Sequence, residues 1–442
     1  MKTLKKILIA IVSLIAVLLL TSGIFYATLN PYRGTNKKSF TTLPLEQKIS
    51  GAQAKEDIDF VMKMVRTRHP AWIEDGNEKV LNVEAKYIEE SSKIGSEVSV
   101  LDEWIAVSHI LHELYDGHTT VHNRNPNQRY ISDFAQIQSG ATLSKINGVP
   151  AKSIYENFLS VYQYERTDFA KSIFTSKILC SEDYLRWCGV DVSNGVTFTF
   201  ESGEGSGDFH YDFVPIDQVK NLKMQEAGKW VYYEIDKEKS TGIFTLTTCN
   251  FNKEYKDTVK KFFEEVAENK IQNVIVDLRS NGGGNSLVGD EFLRYLDIDG
   301  YYSWANEIRV GNFLIRNKRS FCKNNKLKPS FSGNIFVLTD TRTYSSAMDF
   351  TMYICDNKLG KIIGEASGNL PSSYGDCLNF ITPNSRLAFS VSYKHWHRID
   401  ESKESEPLNP DYPCDPKDAL KEAYKLIEKN TSKSPAPDAG PQ

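Results

Sequence analysis

Apolar residues recur at helical spacing three times early in the chain. Between Asp57 and Thr67, Ile58, Val61, Met62 and Val65 share one face, and His69-Pro70 closes the segment. A more polar helical pattern runs from Val80 to Ile94. A third, from Val100 to Tyr115, places Trp104, Val107, Ile110, Leu111 and Leu114 on one side. It runs directly into Asp116-Gly117-His118-Thr119-Thr120. The pattern then changes. Ala141 to Pro150 reads as a strand with an Asn147-Gly148 turn, followed by a short helix from Ser153 to Phe158. Val196 to Phe200 and Phe209 to Val214 alternate as strands around a turn at Gly203 to Gly207. Residues 131–219 therefore read as a small, mostly β insertion. From Gly242 onward short apolar strands alternate with helices: strand Ile243 to Thr247, helix Lys253 to Glu268, strand Val274 to Leu278, helix Ser286 to Leu296. Strand Ile335 to Leu338, helix Ser346 to Cys355 and strand Lys361 to Gly364 continue the alternation. That order predicts an α/β fold with a largely parallel sheet and right-handed crossovers. Leu378 to Ile381 and Arg386 to Tyr393 read as a closing hairpin.

The ends differ from this body. Lys2, Lys5 and Lys6 precede an apolar run from Ile7 to Leu29, long enough to cross a bilayer as a helix of roughly 20 residues. The reading favoured is an uncleaved anchor with the remainder outside the cytoplasm; a cleaved signal peptide is the rival. Residues 30–56 read as a linker, 57–130 as a helical region, 240–428 as the main α/β core and 430–442 as a disordered tail. The net charge of −4 gives no reason to expect a nucleic-acid partner. The seven cysteines lack metal-ligand spacing; Cys180 and Cys188 are near enough in sequence to pair, and Cys249 and Cys355 fall in apolar runs.

Candidate chemistry gathers at three places. Asn273 to Ser286 reads NVIVDLRSNGGGNS, a buried strand ending in Asp277 and Arg279 and then Gly282, Gly283 and Gly284. Successive glycines permit a sharp turn and leave N–H groups free to hold an oxyanion. Thr343-Tyr344-Ser345-Ser346-Ala347-Met348-Asp349 joins a strand to a helix. Ser346 with Asp349 three residues later resembles a capping box; equally, a serine at a helix N-terminus sits beside unpaired N–H groups that would stabilise an attacked carbonyl. The third place is His118, held at the exit of an amphipathic helix. Metal readings are weaker: His112-Glu113 lacks a second histidine one turn on, and His395-Trp396-His397 places two imidazoles on one face of a strand, where exposed residues are the simpler account.

Together these stretches resemble peptidase family S41, the tail-specific or C-terminal processing proteases with their tricorn-like members. The resemblance rests, in order, on Leu114-Tyr-Asp-Gly-His118-Thr, Asp277-Leu-Arg-Ser-Asn-Gly-Gly-Gly284, Ser346-Ala-Met-Asp349 and Gly364-Glu365. It implies a ClpP/crotonase-like spiral core and a PDZ-like character for the insertion. It also implies Ser346 as nucleophile, with an oxyanion hole from the Ala347 and Gly283 N–H groups. No lysine follows Gly364-Glu365 before Lys394, which excludes the Ser-Lys dyad at its usual place. The chain is closer to the Ser-His-Glu branch, with His118 as base and Glu404 as the late acid; Glu401 and Glu406 compete with Glu404, and Asp116 reads as structural. The expected activity is hydrolysis of peptide or protein substrates through an acyl-enzyme, without metal or organic cofactor. A peptide-binding protein that has lost turnover is the alternative.

Overall fold

The computed structural model describes residues 2–431, apart from 37, 39, 75, 136–140, 203–204 and 222–228. Its centre is a six-stranded sheet in the order Val231–Asp236, Thr241–Leu246, Asn273–Asp277, Asn334–Thr339, Lys361–Gly364, Tyr412–Pro413. The first pair is antiparallel and every later pair is parallel. Alternation explains why these strands read as unbroken apolar runs. Val274, Val276, Ile335, Val337 and Ile362 face one hydrophobic core, whereas Ile275, Phe336, Leu338 and Ile363 face another. Helices Lys253–Glu268, Leu287–Leu293 and Ser346–Asp356 supply the first core, and helix Ala419–Thr431 covers the opposite face. Lys253–Glu268 begins at Asn252, whose side chain accepts from the Tyr255 N–H, and buries Tyr255, Val259, Phe262, Phe263 and Val266.

A second sheet runs Phe313–Asn317, Ala305–Val310, Ala388–His397, Ser373–Ile381. The closing hairpin is thus longer than its apolar pattern suggested, and strand Ala305–Val310 extends it. The short strand Val121–His122 also pairs with Ala388–His397, setting His122 opposite Ala388. This pairing carries the His118 loop to the edge of the α/β core.

The amino-terminal helices Glu78–Lys93 and Val100–His112 lie close to the expected ranges, whereas helix Gly51–Arg68 starts six residues before Asp57, inside the expected linker and directly after the short strand Lys48–Ser50. Helices Gly51–Arg68 and Val100–His112 open on capping boxes, Ser50 with Gln53 and Ser99 with Asp102. The expected mostly β insertion is mixed. Four strands form its sheet, in the order Val149–Pro150, Thr142–Ile146, Val196–Ser202, Gly205–Tyr211, while helices Ala151–Val161, Thr167–Ile173 and Glu182–Trp187 fill the long connection. It shares one hydrophobic core with the amino-terminal helices, where Trp104 stacks on Trp187 at 5.0 Å. The turn at 203–207 lies partly outside the described residues, as does the tail beyond 431; helix Ala419–Thr431 extends into its expected start. The linker is tied down in part, with the Tyr32 and Tyr393 hydroxyls 2.8 Å apart. All seven cysteines are free thiols, Cys180 and Cys188 included. Helix Lys2–Leu29 contains an apolar stretch, Lys5–Tyr26, of membrane-spanning length and with none of it buried against the body.

Candidate active site

The turn between strand Asn334–Thr339 and helix Ser346–Asp356 sets the site. Ser345 has φ 53° and ψ −126°, a backbone conformation that L-residues avoid at a cost of about 1–3 kcal/mol. Neighbouring hydrogen bonds hold it there. The Ser345 N–H donates to Asn369 Oδ1 at 2.8 Å, the Tyr344 N–H to the Asn281 carbonyl at 2.9 Å, and the Asp349 N–H to the Ser345 carbonyl at 2.9 Å. The strained turn projects Ser345 rather than Ser346 toward the histidine. Ser345 Oγ lies 3.1 Å from His118 Nε2.

Ser346 is the first residue of the helix, and its hydroxyl donates to the Gly284 carbonyl at 2.9 Å. The expected nucleophile is therefore turned away from His118 and used to fasten the helix to the glycine turn. The expected oxyanion donors are also occupied. The Gly283 N–H donates to Asn281 Oδ1 at 2.9 Å and the Ala347 N–H to the Tyr344 carbonyl at 3.1 Å. Buried Asn281 pins this turn from both ends, because its Nδ2 donates to the Leu246 carbonyl. Gly283, at φ +95°, packs so closely that a Cβ would sit 2.7 Å from the Tyr344 carbonyl oxygen and 2.8 Å from Ser345 Cβ. The Gly284 and Ser346 backbones line the same cavity of ≈ 280 Å³ as Ser345 and His118. Asp349, Asp376 and Trp396 form part of its wall, which carries no lysine or arginine among the described residues. Burial, reinforced by the Asp376 and Asp290 charges, pushes the Asp349 carboxyl up to about 8.

His118 is fixed by its main chain. Its N–H donates to Asp116 Oδ1 at 2.8 Å, and its carbonyl accepts from Ser390 Oγ at 2.7 Å. On the far side of the ring, Nδ1 faces two carboxylates, Asp116 Oδ1 at 3.8 Å and Glu165 Oε1 at 3.9 Å. It is buried and makes no hydrogen bond among the described residues. Asp116 Oδ2 accepts from His69 Nε2 at 3.2 Å. The Ala71 N–H donates to His69 Nδ1, which leaves the His69 proton on Nε2. Burial opposes ionisation of Asp116, but the hydrogen bond from His69 and the neighbouring His118 ring hold it below the usual carboxylate range. Glu165 accepts from the Gly117 N–H and the Tyr344 hydroxyl, both at 3.0 Å. Burial raises its pKa; His118 pulls it down and the Asp116 charge adds to the rise.

Glu404 is used elsewhere. Its carboxylate accepts from Ser372 Oγ at 2.8 Å, His397 Nδ1 at 2.8 Å and Arg319 Nη2 at 2.6 Å. Glu401 pairs with the same Arg319, and the Glu406 carbonyl accepts from Arg398. The acids beside His118 are instead Asp116, whose structural role through His69 is real but incomplete, and Glu165. No local motif marks Glu165; it lies 47 residues beyond His118 in a connection read for its sheet pattern. Asp277 and Arg279 do close the strand end, with Arg279 Nη2 2.6 Å from Asp277 Oδ2.

Two triangles of donor atoms have metal-ligand proximity: Asp116, His118 and Glu165, and Glu307, His395 and His397. In the first, both carboxylates are already engaged by protein donors.

A serine–histidine pair at a helix start, next to a glycine turn, is acyl-transfer geometry, and the sequence around it matches a known family. Residues 240–413 match the family model of peptidase family S41. The chain carries an S41 serine-type peptidase domain. No curated protein matches the sequence. Solved structures share the fold at low identity. Mature CPAF complexed with lactacystin is 13% identical, with a TM-score of 0.59 over 86% of this chain and 97% of that one. A CPAF variant with a serine-to-alanine substitution is 12% identical, with a TM-score of 0.62 over 86% and 96%. The amino-terminal helices and the insertion, outside the family match, thus belong to a fold shared across nearly the full length of CPAF.

Proposed function

We propose that the protein is a membrane-anchored, extracytoplasmic serine peptidase in which Ser345 attacks and His118 is the general base. The observation that carries this reading is the 3.1 Å approach of His118 Nε2 to the hydroxyl of a serine held at positive φ. A substrate peptide occupies the cavity with its carbonyl carbon against Ser345 Oγ. Neutral His118 removes the hydroxyl proton as the oxygen attacks, forming a tetrahedral oxyanion. The oxyanion faces the Gly284 and Ser346 N–H groups; the latter, at the first turn of the helix, lacks an intrahelical acceptor. Asp116 and Glu165, behind Nδ1, stabilise the imidazolium. His118 then gives its proton to the leaving amine, and water hydrolyses the acyl-enzyme by the same route in reverse.

The cavity wall suits a basic side chain beside the scissile bond through Asp349, which has no salt bridge among the described residues, whereas Asp376 is already paired with Lys394. The apolar helix Lys2–Leu29 supports a single anchor; retention of this segment in the mature chain separates an anchor from a cleaved signal. The test of the chemistry is labelling of the full-length protein with a fluorophosphonate. Label attached to Ser345 and absent from His118→Ala supports the reading. A folded protein that never labels, and that binds peptides without cleaving them, overturns it in favour of a binding role.

A further inference from the structure

We propose that His395, His397 and Glu307 form a binding site for a divalent transition metal, zinc above all, on the second sheet. The two histidines occupy alternate positions of strand Ala388–His397 and so share a face, their ring centroids 4.5 Å apart. Glu307 lies directly across from His395 on the neighbouring antiparallel strand. One donor atom from each of the three lies within 4.8 Å of the others. Tetrahedral donors about 2.0–2.1 Å from zinc stand roughly 3.4 Å apart, so small side-chain rotations close this triangle.

The surroundings carry the argument further than proximity. Each histidine is held at Nδ1 by its own carboxylate: His395 by Glu74 Oε1 at 2.9 Å and His397 by Glu404 Oε1 at 2.8 Å. Those carboxylates are themselves fixed. Glu74 Oε2 accepts from the Tyr374 hydroxyl at 2.7 Å and Asn77 Nδ2 at 2.8 Å, and Glu404 accepts from Ser372 and Arg319. A carboxylate at Nδ1 keeps the ring proton there and leaves Nε2 with its lone pair, which is the tautomer a metal ligand needs. Side by side and half-buried, the two imidazoles so held turn their Nε2 atoms away from the carboxylates and toward a metal. Glu307 supplies a third donor and negative charge. Its Oε1 now accepts from Arg316 Nε at 2.7 Å, and the Arg316 side chain is 66% exposed and free to release it. The fourth position opens to solvent, where water completes the coordination. The site would clamp strand Ala305–Val310 to the strand that carries Trp396, a wall residue of the catalytic cavity. Glu404 then orients His397, a role independent of the peptidase reading.

The experiment is calorimetric titration of chelator-treated full-length protein in detergent with Zn2+, and optical titration with Co2+. Wild type binds one ion per chain, with cobalt absorption typical of a four-coordinate site. His395→Ala and His397→Ala each weaken binding by at least about tenfold, as does Glu307→Gln. Glu404→Gln weakens it by about 10–100-fold through the second sphere. His118→Ala leaves it unchanged. Thermal melts of every variant without metal check that the fold persists. Absence of stoichiometric binding by wild type overturns the proposal. So does binding unchanged in folded His395→Ala/His397→Ala, or binding lost in His118→Ala.

Discussion

Ser345 and Ser346 are neighbours in sequence but serve opposite sides of the same turn. The hydroxyl of Ser345 meets His118 Nε2 at 3.1 Å, and that of Ser346 donates to the Gly284 carbonyl at 2.9 Å. The change in backbone direction at Ser345, φ 53°, separates them. Ser345→Ala is expected to abolish fluorophosphonate labelling and lower peptide turnover by at least about 10³-fold, the scale of losing a nucleophile. Ser346→Ala keeps its backbone N–H and loses one neutral hydrogen bond, about 1 kcal/mol of stability. Its labelling should persist. Labelling that vanishes in Ser346→Ala and survives in Ser345→Ala would reverse the assignment.

The two carboxylates behind His118 make a second prediction. Glu165→Gln and Asp116→Asn remove charge that would stabilise the imidazolium, and each should lower kcat by about 10²–10⁴-fold with smaller effects on KM. Glu404→Gln should change kcat little, because its carboxylate belongs to His397, Ser372 and Arg319. Steady-state kinetics on one peptide decides among the three. A Glu404 variant as damaged as the Glu165 variant would return the late glutamate to the mechanism.

The sequence exposed the α/β core because strands such as Asn273–Asp277 are buried on both faces, so their apolar runs are continuous. It exposed His118 and the glycine turn because local chemistry marks them. It could not choose between adjacent serines. Apolar periodicity starts the helix at Ser346, and the family pattern favours Ser-Ala, yet the hydroxyl that reaches His118 belongs to the residue before the helix, where backbone sign rather than side-chain type decides. The signal available was positional: Ser345 fills the cap site, and its side chain makes no capping bond. Glu165 and the Asp116–His69 pair were hidden for a different reason. Glu165 reaches His118, and His69 reaches Asp116, through tertiary packing across 47 residues each, a distance at which no local spacing survives.

Gly283 makes a third prediction. An alanine there needs φ +95° and places its Cβ against the Tyr344 carbonyl, Ser345 Cβ and the Ser346 N–H, all within 2.9 Å. Backbone atoms cannot rotate away as a side chain can, so the Ser345 turn must move. Gly283→Ala should lose most labelling. Gly282→Ala, with nothing within 4 Å of its Cβ, should retain it. Equal labelling of the two would show that the turn tolerates displacement.

The cavity wall predicts specificity. Asp376 is paired with Lys394, which leaves Asp349 as the lining acid with no salt bridge among the described residues; peptides bearing lysine or arginine beside the scissile bond should therefore exceed glutamate peptides by about tenfold or more in kcat/KM. A bound cation favours the ionised form of Asp349, whose carboxyl is otherwise pushed up to about 8. Asp349→Asn should narrow the preference chiefly through the basic substrates. A preference for acidic peptides would contradict the cavity reading.

The last prediction concerns stability away from the site. Glu103 is fully buried beside Asp57, and both carboxylates converge on the single hydroxyl of Ser385, at 2.7 and 2.8 Å. One hydroxyl proton cannot serve two acceptors, so one carboxyl must bring its own. Asp57 also accepts from the Asn384 and Ser385 N–H groups, which favour its anion. Glu103 is therefore the protonated partner, and burial followed by the Asp57 charge pushes it up to about 9. In the unfolded chain a glutamate ionises near pH 4.3. The folded state binds the extra proton between these values, so stability is greatest below about pH 4 and declines as pH rises toward 9. Glu103→Gln supplies an uncharged donor and acceptor of the same shape. It should melt near wild type at pH 5 and above wild type at pH 9, with the gap widening between. A Tm difference that shrinks as pH rises would mean Glu103 is ionised in the folded protein.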